Sequence, residues 1–242
     1  MAAELLVLNH HPDTGPSAFT EVLDGRAHLV PWRALDVADG DPLPGVEDLG
    51  GVLVMGGPQS VPEADDHPWT ADEVAWLGRV VEAGVPVLGV CLGAQLLATA
   101  LGGRVEHRET PEIGYLALRR TEAAAQDEVA AGWPDGTVTL FFHGDQVTAL
   151  PDDAQVLLEG SDSHAAWRSG SALAVQFHPE VTLEQLTGWV EHPDLRAQLD
   201  AAGVSPEDLV AEAERRVRFT VPQGRALLGR WIDGPVRKHL AD

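Results

Sequence analysis

The stretch "PVLGVCLGAQLLATALGG" (86–103) limits the fold more than any other. A short apolar run passes, across one cysteine flanked by Gly89 and Gly93, straight into a helix-like run closed by Gly102 and Gly103. Two further runs, "ELLVL" (4–8) and "GVLVM" (51–55), share with "VPVLGV" (85–90) a lack of apolar/polar alternation. That is the pattern of parallel strands covered on both faces. Thr70 with Glu73 reads as a capping box opening a helix over 71–83, with Gly84 as its stop. Residues 51–101 therefore read strand, helix, strand, helix, the order of a doubly wound α/β sheet. Apolar runs at 137–142, 154–160 and 172–177 extend the strand count, and residues 104–170 are expected to be more antiparallel. From 182 onward the chain reads helical, with starts at Thr182/Gln185 and at Ser205/Pro206/Asp208. The expected organisation is an α/β unit over residues 1–190 and a helical C-terminal extension over 191–242 packed on the same domain. Leu227, Leu228, Trp231 and Ile232 would be its apolar, core-facing stripe.

Charge narrows the function classes. Thirty-eight acidic residues against sixteen basic ones give a net charge of −22, and Lys238 is the only lysine. Such a surface has no basic face for phosphate backbones or anionic lipid, so nucleic acid and membrane partners are not expected. Glu63, Asp65, Asp66, Asp152, Asp153, Glu212 and Glu214 read as solvated surface acids. With one cysteine, no leader-like N-terminus and no apolar run near the ~18 residues of a membrane span, a cytoplasmic protein is the expectation.

Cys91 falls at the carboxyl end of a buried strand, where open parallel sheets place their reactive groups. Gly-x-Cys-x-Gly has the logic of a nucleophile elbow, and the following helix N-terminus favours a thiolate. A thiol nucleophile needs a base and a group to orient that base. Among ten histidines, His178 stands just past another buried strand in "ALAVQFHPEV", with Glu180 two residues on. Cys91, His178 and Glu180 are thus a candidate triad. His28, His67, His107, His192 and His239 are expected at the surface, and His10 with His11 lacks further ligands at metal spacing, so no metal site is expected. In α/β hydrolases the acid lies between nucleophile and histidine in chain order, whereas here Glu180 follows His178.

The blocks "MGGPQSV" (55–61), "GVCLGAQLLA" (89–98) and "AVQFHPEV" (174–181), in this order, resemble those of the class I glutamine amidotransferases. "FFHGDQV" (141–147) is similar to the His-Gly-Asp segment of the GMP synthase branch, although Phe142 stands where that branch usually has a small polar residue. The resemblance implies a flavodoxin-like, three-layer fold with a mostly parallel core. It further implies Cys91 as nucleophile, His178 as general base and acid, Glu180 as its orienting residue, and the amides of Gly57 and Leu92 as oxyanion hole. Gln95, His143, Gly144 and Asp145 would bind substrate. The implied reaction is hydrolysis of the glutamine side-chain amide through a γ-glutamyl thioester, without metal or organic cofactor, the ammonia serving an acceptor on a separate synthetase subunit. The same family resemblance leaves open a γ-glutamyl peptidase cutting small peptides. That reading would use the segment 104–135 to frame the pocket, with Arg119 and Arg120 available to a peptide carboxylate.

Overall fold

The computed structural model describes residues 3–63, 67–161 and 163–242; Asp65 and Asp66 lie outside the described residues. In chain order the strands are β1 (Glu4–Asn9), β2 (Trp32–Asp36), β3 (Leu49–Val54), β4 (Val87–Val90) and β5 (Arg104–Ala117). They continue with β6 (Arg119–Arg120), β7 (Val138–Ala149), β8 (Gln155–Glu159), β9 (Ala166–Ser169) and β10 (Ala172–Val175). Eight form one sheet in the order β2-β1-β3-β4-β10-β9-β8-β6. Pairing is parallel from β2 to β10 and antiparallel from β10 to β6. β5 and β7 form a separate antiparallel ladder beside it.

The missing alternation in the first runs has a direct cause. Leu5 and Val7 on β1 face one core with Leu53 and Val90, while Leu6 and Leu8 face a second with Val52 and Val54. A strand buried on both sides has no polar face to display. The second core is closed by Trp76, Leu77 and Val80 of α2 (Trp69–Glu82) and by Leu96 and Leu97 of α3 (Leu92–Ala100). The first is closed by the C-terminal end of the chain: Leu227, Leu228, Trp231, Ile232 and Val236 are all buried in it.

The capping box expected at Thr70 and Glu73 does not form. α2 begins two residues earlier, its N-cap is Pro68 without a side-chain hydrogen bond, and both residues are buried within the helix. Both Glu73 carboxylate oxygens lie 3.1 Å from His10 Nε2, a fully buried pair. A buried carboxylate needs such a partner, and this one outcompetes a local cap. The later starts are capped as expected: Thr182 Oγ1 accepts from Gln185 N (3.3 Å) at α4 (Leu183–Glu191), and Ser205 Oγ accepts from Asp208 N (3.1 Å). α5 (Pro193–Ala202) and α6 (Pro206–Trp231) pack with α4 against the β5–β7 ladder. α6 comes so close to the 178–180 segment that a side chain at Gly224 would collide with the Pro179 carbonyl. Among the described residues no helix is long and apolar enough to cross a membrane.

Candidate active site

Cys91 joins β4 to α3 with φ 52° and ψ −106°, one of two non-glycine residues at positive φ among those described. This strained turn is stable only because its flanks are small. A side chain at Gly93 would collide with the Val54 carbonyl, and one at Gly89 would lie 2.6 Å from the Gly93 oxygen. The Cys91 amide donates to Val175 O (2.9 Å), which ties the turn to β10, and Sγ is 3.8 Å from the Phe142 carbonyl oxygen.

β10 delivers the second component. Just beyond it, His178 N donates to Leu140 O (2.8 Å), which bridges this segment to β7. The His178 ring donates through Nδ1 to Glu180 Oε1 at 2.8 Å, and both side chains are buried. Trp189 of α4 stacks edge-on against the imidazole at 5.0 Å. Burial alone would lower the His178 pKa. The Glu180 charge, the Cys91 sulfur and hydrogen bonds to both outweigh it and raise the value to about 10. Glu180 Oε2 is buried without a hydrogen-bond partner among the described residues, so its charge is left to act on the imidazolium. Ala18 N fixes the Glu180 backbone by donating to its carbonyl (3.1 Å).

Cys91 and His178 line a cavity of about 430 Å³, together with Gly57, Gln95, Gly144 and Trp189. The amides of Gly57 and Leu92 find no acceptor among the described residues, Leu92 being the first residue of α3. Such free amides at a helix start attract negative charge. Gln95 lies one turn beyond Cys91 as expected, with its amide nitrogen already donating to Asp145 O (3.0 Å) and Gln176 Oε1 (3.4 Å).

His143 and Asp145 reach the cavity wall, but their polar atoms are largely engaged. His143 lies opposite Glu112 in the β5–β7 register, and its two ring nitrogens meet Asp145 O (2.7 Å) and Glu112 Oε2 (2.9 Å). Burial would raise the Glu112 pKa; the His143 hydrogen bond and charge, with Arg108 and Ser161, outweigh it and bring the carboxyl down to about 2. Asp145 accepts from Ser60 Oγ (2.7 Å) and pairs with His107 Nδ1 (2.7 Å). His107 is exposed, as expected, and lines the open edge of the cavity; His192, expected at the surface, is partly buried on the same wall. Long-range folding puts them there, and no local pattern announces it. Arg119 and Arg120 do not line the cavity, and Arg119 pairs with Glu159. Trp189, Thr14 and Glu112 were not singled out in the sequence; the one local signal is Trp189 at i+3 from Leu186 on the buried side of α4.

His11, Asp13 and His192 each bring one potential metal-ligand atom within 4.8 Å of the others at the cavity rim. Asp13 is exposed, and His11 Nδ1 already accepts the Asp13 amide hydrogen (3.2 Å).

The family model for glutamine amidotransferase class-I matches residues 24–189. The chain belongs to that family. Its match contains the elbow, the His178–Glu180 pair and the cavity wall contributed by β7. Among curated relatives, the chain is 35% identical over 185 residues to a GMP synthase [glutamine-hydrolyzing] of Thermomicrobium roseum, covering 74% of this chain and 32% of that protein. A GMP synthase of Teredinibacter turnerae is 36% identical over 195 residues, covering 74% and 34%. The chain thus spans about a third of the length of these relatives. Among solved structures, a glutamine amidotransferase from Thermotoga maritima superposes with a TM-score of 0.83 at 24% identity, covering 97% of this chain and 100% of that one. A glutamine amido transferase from Methylobacillus Flagellatus gives 0.83 and 24%, covering 97% and 96%. These two establish the likeness of fold, C-terminal helices included.

Proposed function

We propose that this class I amidotransferase hydrolyses the side-chain amide of glutamine through Cys91, His178 and Glu180. The observation that carries the reading is Cys91 on a strained elbow, lining one cavity with a buried His178 whose Nδ1 meets Glu180 at 2.8 Å and whose pKa Glu180 raises. The Cys91 thiolate, with the His178 imidazolium as its counter-charge, attacks the carboxamide carbon. The Gly57 and Leu92 amides stabilise the oxyanion, typically worth about 3 kcal/mol per donor. His178 gives its proton to the departing nitrogen as the C–N bond breaks, and ammonia leaves. His178 then takes a proton from water, whose oxygen attacks the γ-glutamyl thioester. Glutamate departs and the thiolate–imidazolium pair is restored. Gln95, Gly144 and the backbone around Asp145 hold the α-amino and α-carboxylate ends. The ammonia serves an acceptor held by a separate synthetase, a reading supported by the relatives named GMP synthase, of which this chain matches about a third.

A second reading is favoured by the cavity volume. About 430 Å³ falls in the range of drug-sized ligands and exceeds what glutamine fills, so γ-glutamyl peptides are candidate substrates for the same chemistry. The test is glutamate release from glutamine and from γ-glutamyl dipeptides side by side, with Cys91→Ala as blank. Turnover of glutamine that disappears in Cys91→Ala supports the amidotransferase; peptide turnover with glutamine inert replaces it by the peptidase. Activity that persists in Cys91→Ala overturns both.

A further inference from the structure

The Gly57 amide sits in a peptide with glycine on both sides, so neither flanking residue has a Cβ to restrict the rotation of that plane. An unrestrained plane is free to flip, and a flipped plane presents a carbonyl dipole where an oxyanion needs N–H. Something must hold it. Gly56 lies against the reacting groups: a Cβ there would be 3.1 Å from His178 Cε1 and 3.6 Å from Cys91 Cβ.

The group that holds it is the buried hydroxyl of Thr14, which donates to the Gly56 carbonyl at 2.8 Å. The other acceptor in reach, the His11 carbonyl at 3.2 Å, already receives the Thr14 amide hydrogen at 3.0 Å. The chain has no cis peptide among the described residues, so the carbonyl of Gly56 and the N–H of Gly57 lie in one plane and point in opposite directions. Fixing the first fixes the second. Thr14 is itself held from α4: Trp189 Nε1 and Gln185 Nε2 both donate to the neighbouring Asp13 carbonyl, at 2.8 and 3.0 Å. We propose that Thr14 is a positioning residue whose hydroxyl locks the Gly56–Gly57 peptide with its N–H turned to the oxyanion; this rests on the glutamine hydrolase reading above. Thr14 lies on the wall of the same cavity, and its hydroxyl, given to the Gly56 carbonyl, acts on the oxyanion through the peptide plane.

The experiment compares wild type with Thr14→Val, which keeps the β-branched shape, and Thr14→Ser, which keeps the hydroxyl. Steady-state glutamate release is measured from whichever substrate the wild type turns over. Alkylation of Cys91 by iodoacetamide is measured in parallel, because that substitution forms no oxyanion. Thr14→Val should lower kcat by about tenfold to a hundredfold, a large part of the loss caused by removing one oxyanion donor, with KM within about twofold. Thr14→Ser should restore most of kcat, and the alkylation rate should stay within about twofold of wild type in both variants. Thr14→Ala provides the same comparison should the valine variant fail to fold. Unchanged kcat in Thr14→Val, no rescue by serine, or alkylation falling in step with kcat would each overturn the proposal while leaving the hydrolase reading intact. A wild type inert towards glutamine and γ-glutamyl peptides alike would overturn both.

Discussion

At the residue scale, the chemistry turns on how much charge Glu180 lends His178. Glu180→Gln removes the main influence that raises the imidazole pKa, so the ring should titrate well below its value of about 10. Ring resonances followed by NMR across pH 5 to 11 check this. A glutamine at this position also favours the wrong tautomer, and kcat should drop by roughly 10² to 10⁴. The linkage has a definite sign. A histidine whose folded pKa lies above its unfolded value stabilises the fold fully below about 6.5, and that contribution fades as pH rises through about 10. Urea midpoints should therefore fall across this window in wild type and fall less in Glu180→Gln. The sequence makes Cys91, His178 and Glu180 legible because each stands at a strand end in a distinctive local pattern. Thr14 and Glu112 leave no such trace, since their partners Gly56 and His143 are remote in sequence and meet them only in the folded state.

At the element scale, α6 braces the segment that carries His178. Gly224 lets the helix lie against the Pro179 carbonyl, so Gly224→Val must push α6 away or displace Pro179. Overpacking of this kind costs about 1–3 kcal/mol, and turnover should fall with it because His178 and Glu180 flank the contact. Gly188→Ala in α4 is the matched control: nothing lies within 4 Å of the added methyl, so a gain of about 0.5–1 kcal/mol is expected. Denaturant unfolding and glutamate release on the two variants separate close packing from backbone propensity. Strands and helices were mostly legible, since burial on both faces and the caps at Thr182 and Ser205 are encoded locally. The start of α2 is not legible locally, because Thr70 and Glu73 carry the letters of a capping box while tertiary burial pairs Glu73 with His10.

At the scale of the whole molecule, a net charge of −22 makes the fold self-repelling at neutral pH, and acid relieves that repulsion. Glu112 opposes the relief. Its carboxyl titrates at about 2 when folded, against 4.5 ordinarily, so its stabilisation is complete above about 4.5 and is lost as pH falls towards 2. Wild type should lose stability relative to Glu112→Gln as pH falls from about 4.5 towards 2. The two proteins should converge in stability below pH 2, as read by urea titrations at stepped pH.

The neighbouring positions of β4 and β10 also bear on how the protein is made. The strand that ends at Cys91 leaves the ribosome long before the strand that ends just short of His178, and the two become adjacent only when β10 inserts beside β4. Until then Cys91 has neither the histidine beside it nor the bond from its amide to the Val175 carbonyl. If the proposed function holds, a nascent or truncated chain lacking β10 should be chemically silent, its thiol made before the site that would use it is assembled.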